Sequence, residues 1–305
     1  MLRIAHLSDL HVLSPVGFEW RQMLLNKRLT GYANVVWRRG RVHRREYLLA
    51  VLAALTEVDH VVVTGDITNL ALESEFDEAR RLLDKIARTV EVTVIPGNHD
   101  IYLARVHRER RFPRHFGQFL ESDLPDLALD LPAGRYPCVK LRGPAAIIAL
   151  SSAVPRPPFV AAGYLGSAQI EALARVLRHP AVTSRTPVIL VHHPPVDTRC
   201  RLARLRDGLV DGASFRTALA PLARGLVLFG HLHVRVRCVL RTPSGALDVI
   251  GASGAALDHS DGSIRAGFNL YSIDHGGLAT IEGHVLNESG TSLRRTTIAE
   301  RRGCR

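Results

Sequence analysis

Asp9, His11, Asp66, Asn98, His192, His231 and His233 each carry a carboxylate, an imidazole or an amide, and each stands just past a short apolar run, in SDLH, TGDITN, PGNHD, VHHPP and GHLH. With 15 histidines among 305 residues, an HxH triplet is expected by chance roughly 0.7 times, so GHLH alone decides nothing. The ordered set is far harder to reach by chance, because every member follows a strand-length run. The spacing suggests how the donors converge. In an extended segment residues i and i+2 point the same way, so Asp9 with His11, and His231 with His233, would each aim two donors at one place. Gly65, Gly97 and Gly230 stand beside donors where the chain must turn sharply or approach closely. Pro194 and Pro195 force an extended path after His193.

An oxygen and nitrogen set without a thiolate suits two divalent cations, and ligand softness leaves Mn, Fe, Zn and Co open. Such a pair would suit hydrolysis of a phosphate ester. Two divalent cations carry four positive charges, Asp9 and Asp66 return two, and a metal-bridging hydroxide acting as nucleophile leaves a net of about one, which attracts a phosphate anion. Two such cations, roughly 3.5–4 Å apart, steady the attacking and leaving oxygens in line. A histidine beside them can protonate the leaving alkoxide or stabilise phosphoryl charge.

The elements that must position these residues are buried strands alternating with helices. Leu2–Leu7, Val61–Val63, Val92–Ile95, Ala145–Leu150, Pro187–Val191 and Leu226–Phe229 lack helical periodicity and read as strands. Helical spacing runs through Arg45–Leu55. Ser74 opens a capping box leading to Ala87, Ser167 caps a helix ending before Pro180, and Ser214–Leu222 forms a fourth helix. In such α/β arrangements the site lies at the carboxyl ends of the strands. Arg235–Leu240, Leu247–Ile250, Phe268–Ile273 and Ala279–Val285 alternate with Gly and Pro turns and suggest an antiparallel part or a second sheet.

The motifs D-x-H, GD, GNHD, HHPP and GHxH, running from about Leu2 to Val234, resemble those of the calcineurin-like metallophosphoesterase superfamily. HHPP and GHLH are most similar to the bacterial branch of class III cyclic-nucleotide phosphodiesterases and glycerophosphodiesterases. The resemblance implies an α/β fold, a four-layer α/β/β/α sandwich of two mixed sheets flanked by helices, over residues 1–286, with 287–305 left as a polar, Arg-rich tail. It implies one metal position at Asp9, His11, Asp66 and His233, and a second at Asp66, Asn98, His192 and His231, with Asp66 bridging. His193 is then behind the ligands or facing substrate. His99 looks like the family's phosphate-contacting histidine, with Asp100 orienting it. The expected substrate-binding residues are His193, Asn98 and His99, and the expected catalytic residues His99 and Asp100.

The implied activity is that of a phosphodiesterase acting on a small phosphate ester. A phosphomonoesterase, a pyrophosphate-bond hydrolase of a nucleotide-linked lipid, or a non-catalytic scaffold of the same fold are the alternatives. Residues 12–44 depart from the family pattern: both tryptophans, Trp20 and Trp37, lie here among arginines. This insertion reads as a lid over the site, in contact with an amphiphilic substrate or a membrane periphery, or as a helical hairpin packed on the body. The net charge of +11 comes almost wholly from arginine, with Lys27, Lys85 and Lys140 the lysines. That skew resembles coding bias, and no nucleic-acid module accompanies it. No apolar run reaches membrane-span length, and residues 1–10 lack a leader layout. Cys138, Cys200, Cys238 and Cys304 form no CxxC. A cytoplasmic protein with reduced thiols is expected.

Overall fold

The apolar runs assemble into two stacked sheets. A computed structural model of the chain describes residues 1–14, 43–196 and 199–301. Most of the 12–44 insertion, and Cys304, lie outside the described residues. The first sheet has six strands in the order β14 (Leu293–Thr296), β13 (Gly277–Leu286), β12 (Gly267–Asp274), β1 (Leu2–Leu7), β2 (His60–Val63) and β3 (Glu91–Val94). In it β1, β2 and β3 are parallel, and β12 runs antiparallel to β1. The second sheet is ordered β10 (Val236–Thr242), β11 (Gly245–Gly251), β9 (Leu226–Phe229), β8 (Thr186–Leu190), β7 (Ala145–Ala149) and β6 (Cys138–Arg142). A small hairpin pairs β4 (Leu129–Leu131) with β5 (Gly134–Tyr136).

Alternation along the strands sets the layers. Ile147, Val188, Leu226 and Leu228 join a core shared with Leu7, Val61 and Tyr271 of the first sheet. Their neighbours Ile148, Ile189 and Val227 point the other way, into a second core with Leu173, Val176, Phe215 and Leu219. Side chains two apart share a face, so each strand of the second sheet seals against the first sheet on one side and helices on the other. Those helices are α5 (Ser167–Arg178) and α8 (Gly212–Leu219). On the first sheet the corresponding layer holds α1 (Arg45–Ala53) and α2 (Glu73–Ala87), which bury Tyr47, Leu48 and Val51, and Phe76, Ala79 and Leu83. Short helices α3 (Ala104–Arg108), α4 (Arg111–Phe116), α6 (Pro180–Thr183) and α7 (Arg201–Asp207) occupy connections. This is the expected four-layer sandwich of two mixed sheets.

Several local expectations are corrected. The late strands pair antiparallel, as one alternative had it, but they do not form a sheet of their own. β10 and β11 extend the second sheet, whereas β12, β13 and β14 extend the first beside β1. Alternation shows that a strand is half-buried, not which partner it finds. The tail is built in as far as residue 301: β14 pairs with β13, Ile298 is buried, and Glu300 bridges to Arg237. Ser74 and Ser167 do not cap. Each lies inside its helix, and Glu75 accepts the N–H groups of Leu70 and Leu72 instead. Pro221 stands after the end of α8 rather than within it. Cys138 and Cys200 are free thiols, but Cys238 is disulfide-bonded, against the expectation of reduced thiols throughout. Among the described residues no helix is long and apolar enough to cross a membrane.

Candidate metal centre

All seven donors sit in loops at the carboxyl ends of parallel strands. Asp9 and His11 follow β1, Asp66 follows β2 and Asn98 follows β3. His192 follows β8, and His231 and His233 follow β9. The first sheet therefore supplies four donors and the second three.

The donor loops are not extended, as the i, i+2 argument had it. Asp9, His11, Asp66, His231 and His233 all have positive φ, between 45° and 64°. For residues other than glycine this left-handed region costs of order 1–3 kcal/mol each and persists only where the surroundings fix it. Here backbone hydrogen bonds do so. Asp9 N–H donates to Gly65 O at 2.9 Å, His11 N–H to Asp66 O at 3.0 Å, and Val12 N–H to Ile67 O at 2.9 Å. These bonds carry the β1–β2 pairing past the strand ends and bind the first two donor loops together. Gly65, at φ 96°, makes the turn before Asp66.

Two groups of donor atoms result. In the first, His11 Nε2 lies 3.4 Å from His233 Nε2, 3.9 Å from Asp66 Oδ2 and 4.0 Å from Asp9 Oδ1. His233 Nε2 is 3.2 Å from Asp9 Oδ1. In the second, Asn98 Oδ1 lies 3.2 Å from His192 Nε2 and 3.0 Å from His231 Nδ1, and His192 Nε2 is 3.5 Å from Asp66 Oδ1. Donors each about 2.1 Å from one centre stand roughly 3.0–3.4 Å apart when adjacent and up to about 4.2 Å when opposite. Both groups match that spacing, and Asp66 turns one oxygen to each. Asp9 Oδ1 is buried with no hydrogen-bond partner, an orphaned acceptor facing two imidazole nitrogens. The residues fit a pair of divalent cations.

The ionisable groups reflect the same crowding. Burial opposes ionisation of Asp66, but the His192 and His99 charges outweigh it and hold its carboxyl well below the usual range. Burial likewise opposes ionisation of Asp9, and His233 holds its carboxyl down. His192, pulled down by burial and raised by Asp66, ends at about 9. His231 is driven down to about 3 by burial and by His192. His192 Nδ1 donates to Thr64 O at 2.6 Å, which leaves Nε2 as the ligating nitrogen.

A sequence profile of the calcineurin-like phosphoesterases matches residues 2–235. The chain belongs to that family. Its likeness to a probable cyclic nucleotide phosphodiesterase of Rhodococcus erythropolis is 28% identity over 198 residues, covering 62% of this chain and 56% of that protein, so just over half of the relative is spanned. Among solved structures, a dimetal phosphatase from Danio rerio aligns with a TM-score of 0.53 at 15% identity, covering 97% of this chain and 99% of that one. A purple acid phosphatase from yellow lupin aligns at 0.59 and 11% identity, covering 99% of this chain and 54% of that one. These two show the fold.

The remaining expected residues take different places around the donors. His99 stands at the centre, its N–H donating to Asp66 Oδ1 at 2.8 Å and its ring edge-on to His11 at 4.9 Å between centroids. Asp100 does not orient it. The Asp100 carboxylate accepts N–H groups of Ile67, Thr68 and Gly97 and the Thr68 hydroxyl. It is a brace joining the Asp66 and Asn98 loops, and burial together with the Asp66 charge raises it to about 7. The group on His99 Nδ1 is instead the Asn69 carbonyl, at 2.6 Å. No side-chain pattern could have revealed a backbone acceptor.

His193 does not face outward. Its Nε2 donates to Ala161 O at 2.8 Å, and its Nδ1 accepts from the Ser152 hydroxyl at 2.8 Å. Fully buried, with both nitrogens occupied, it supports His192 and His231 from behind and has no nitrogen left for substrate. Asn98, His231 and His233 are the partly exposed donors, so approach is from their side. His43 was not anticipated. Its ring packs edge-on against His11, 4.6 Å between centroids, and lies 5.8 Å from that of His233. One nitrogen from each of the three lies within 4.8 Å of the others. A lone histidine at the end of an Arg-rich stretch carries no local motif to mark it.

Proposed function

We propose that this chain hydrolyses a small phosphodiester at the seven-donor centre. The observation that carries the reading is the pair of donor groups sharing Asp66, open on the Asn98, His231 and His233 side, with His99 beside them. Two divalent cations held there, drawn from Mn, Fe, Zn or Co, would activate a water and neutralise phosphoryl charge. The chain supplies the rest. The left-handed loops fix the donors before substrate arrives, which removes reorganisation from the reaction. Asp66 holds the two positions in one frame. His99, its Nδ1–H donating to Asn69 O, stands beside both donor groups, where its ring can stabilise phosphoryl charge or pass a proton to the leaving alkoxide. The Asn98 amide lies at the open edge, next to where the phosphoryl group must enter.

The preference for a diester rests on the HHPP motif and on the name of the Rhodococcus relative. The test compares bis(p-nitrophenyl) phosphate with p-nitrophenyl phosphate after reconstitution with each of the four metals, in wild type and Asn98→Ala. The diester is expected to be the better substrate. Asn98→Ala should lose turnover and retain about one metal per chain, with the fold intact. Faster monoester cleavage would move the reading to a phosphomonoesterase. Full turnover in Asn98→Ala with two metals bound would remove Asn98 from the centre. No turnover with either substrate despite two bound metals would favour a scaffold or a more specialised substrate.

A further inference from the structure

Among the described residues seven large apolar side chains are exposed, and five of them fall in two chain segments: Phe159 and Tyr164 in one, Leu202, Leu205 and Val210 in the other. The segments form one surface. Ala161 N–H donates to Arg206 O at 2.8 Å, Gly163 N–H to Gly208 O at 2.9 Å, and Val210 N–H to Gly163 O at 3.0 Å. Phe159 is 79% and Leu202 76% exposed, so these side chains protrude rather than line a groove. Leu202 and Leu205 stand three apart on α7 and share its outer face. Soluble surfaces rarely cluster apolar groups in this way without a partner.

Charge identifies the partner. Arg201 and Arg204 sit on the same short helix, and among the described residues neither has a carboxylate partner. The nearby Asp207 is taken by Arg199 and Arg206, and Asp211 accepts the N–H groups of Leu165 and Gly166. A cleft of about 330 Å³ opens between α7, α8 and Pro194–Pro195, with Arg201, Arg204 and Arg216 on its walls. Protruding aliphatic and aromatic groups ringed by uncompensated guanidinium groups match the boundary between anionic headgroups and acyl chains.

We propose that this face docks the chain onto an anionic lipid bilayer. The surface is built from residues outside the 12–44 segment of the sequence, and its case does not depend on the hydrolase reading. It is close to the metal centre all the same. The Ala161 carbonyl that receives His193 belongs to the residue whose N–H is held by Arg206 of α7. A chain seated by this face would keep its open donors near the membrane, where amphiphilic phosphoesters are concentrated.

The test is sedimentation of the full chain with vesicles of phosphatidylcholine alone and of phosphatidylcholine mixed with phosphatidylglycerol. Wild type should pellet with the anionic vesicles and much less with the neutral ones. Phe159→Ser/Leu202→Ser/Leu205→Ser should weaken binding at least about tenfold through lost apolar insertion. Arg201→Gln/Arg204→Gln should weaken it by roughly twenty-five-fold, at about fivefold per arginine. Both variants should keep the wild-type thermal transition and hydrolyse a soluble chromogenic diester as wild type does, so failure of docking is distinguishable from failure of the catalytic reading. No pelleting, equal pelleting on neutral vesicles, or pelleting undiminished in both variants would each overturn the proposal. So would self-association of wild type that the triple variant abolishes, which would assign the face to a second copy.

Discussion

Replacing Gly97 with alanine tests whether the frame around Asp66, rather than its charge alone, sets activity. A Cβ at position 97 would lie 2.8 Å from Asp66 Cγ and closer still to Asp66 N and Oδ1. Carbon atoms in contact prefer about 3.5–4.0 Å, so Asp66 or the Gly97 backbone must move by at least about 0.7 Å. Neither side has slack. Gly97 N–H is bonded to Asp100 Oδ2 at 2.9 Å, and Asp66 Oδ1 is held by His99 N–H at 2.8 Å. The Gly65 turn behind is equally tight, since a Cβ there would meet Gly97 N at 2.6 Å. Overpacking of this kind costs about 1–3 kcal/mol, and a misplacement near 1 Å costs about a hundredfold in rate. Gly97→Ala is therefore expected to lose about two orders of magnitude in kcat on a chromogenic diester, with a thermal transition lower by several degrees. Gly117→Ala is the control, because nothing lies within 4 Å of its added Cβ; it should match wild type. A Gly97→Ala protein with wild-type turnover and two metals per chain would refute the argument that close approach, rather than turn conformation, demands glycine here.

Two further outcomes follow from the same geometry. His99→Ala should keep both metals and lose about 10²–10⁴ in kcat, as judged by metal analysis beside turnover; a loss of metal on that substitution would make His99 a ligand. The buried, neutral His6, hydrogen-bonded to Tyr271 and Thr64, is driven down to about 3 by burial. The unfolded chain takes up this proton below about pH 6.5 and the folded chain refuses it, so the stability from His6 is complete above that pH and declines as pH falls towards 3. At about 1.4 kcal/mol per unit the decline is of order 2 kcal/mol by pH 5. Urea unfolding at pH 7 and pH 5 should show a smaller difference for His6→Gln than for wild type; equal differences would rule out His6 as a source of acid sensitivity.

The donor set was legible because each donor closes an apolar run, and buried parallel strands ending at one edge bring such residues together. How the donors are held was not. The sequence pattern suggested extended pairs at Asp9–His11 and His231–His233, whereas these residues are left-handed and locked by bonds between loops. A tertiary bond network can impose a backbone conformation that local preference opposes, and single-sequence reasoning does not see the network. The Asn69 carbonyl on His99 escaped notice because every residue has a carbonyl. β6 was missed because Lys140 interrupts its apolar pattern. That lysine is in fact buried, with Nζ 3.1 Å from Glu91 and 3.0 Å from Val92 O across the sheets. Ser74 and Ser167 had the residue type of caps, but the packing of α2 and α5 starts each helix one residue or more earlier.

The division of donors between the sheets has a mechanical consequence. Each proposed cation position takes donors from both layers: Asp9, His11 and Asp66 with His233, or Asp66 and Asn98 with His192 and His231. A cation in either position is thus a rivet through two plates that otherwise meet mainly by apolar packing. His11 and His233 are 222 residues apart, so the rivet also closes most of the chain into a ring, the kind of closure whose entropic effect grows with loop length. Shear of one sheet over the other would break both positions at once. At the opposite edge the Lys140–Glu91 contact bridges β6 to β3, giving the sandwich a second fastening. Chelation would then release one rivet and leave the other, so loosening should begin at the donor end and pivot about the β3–β6 edge.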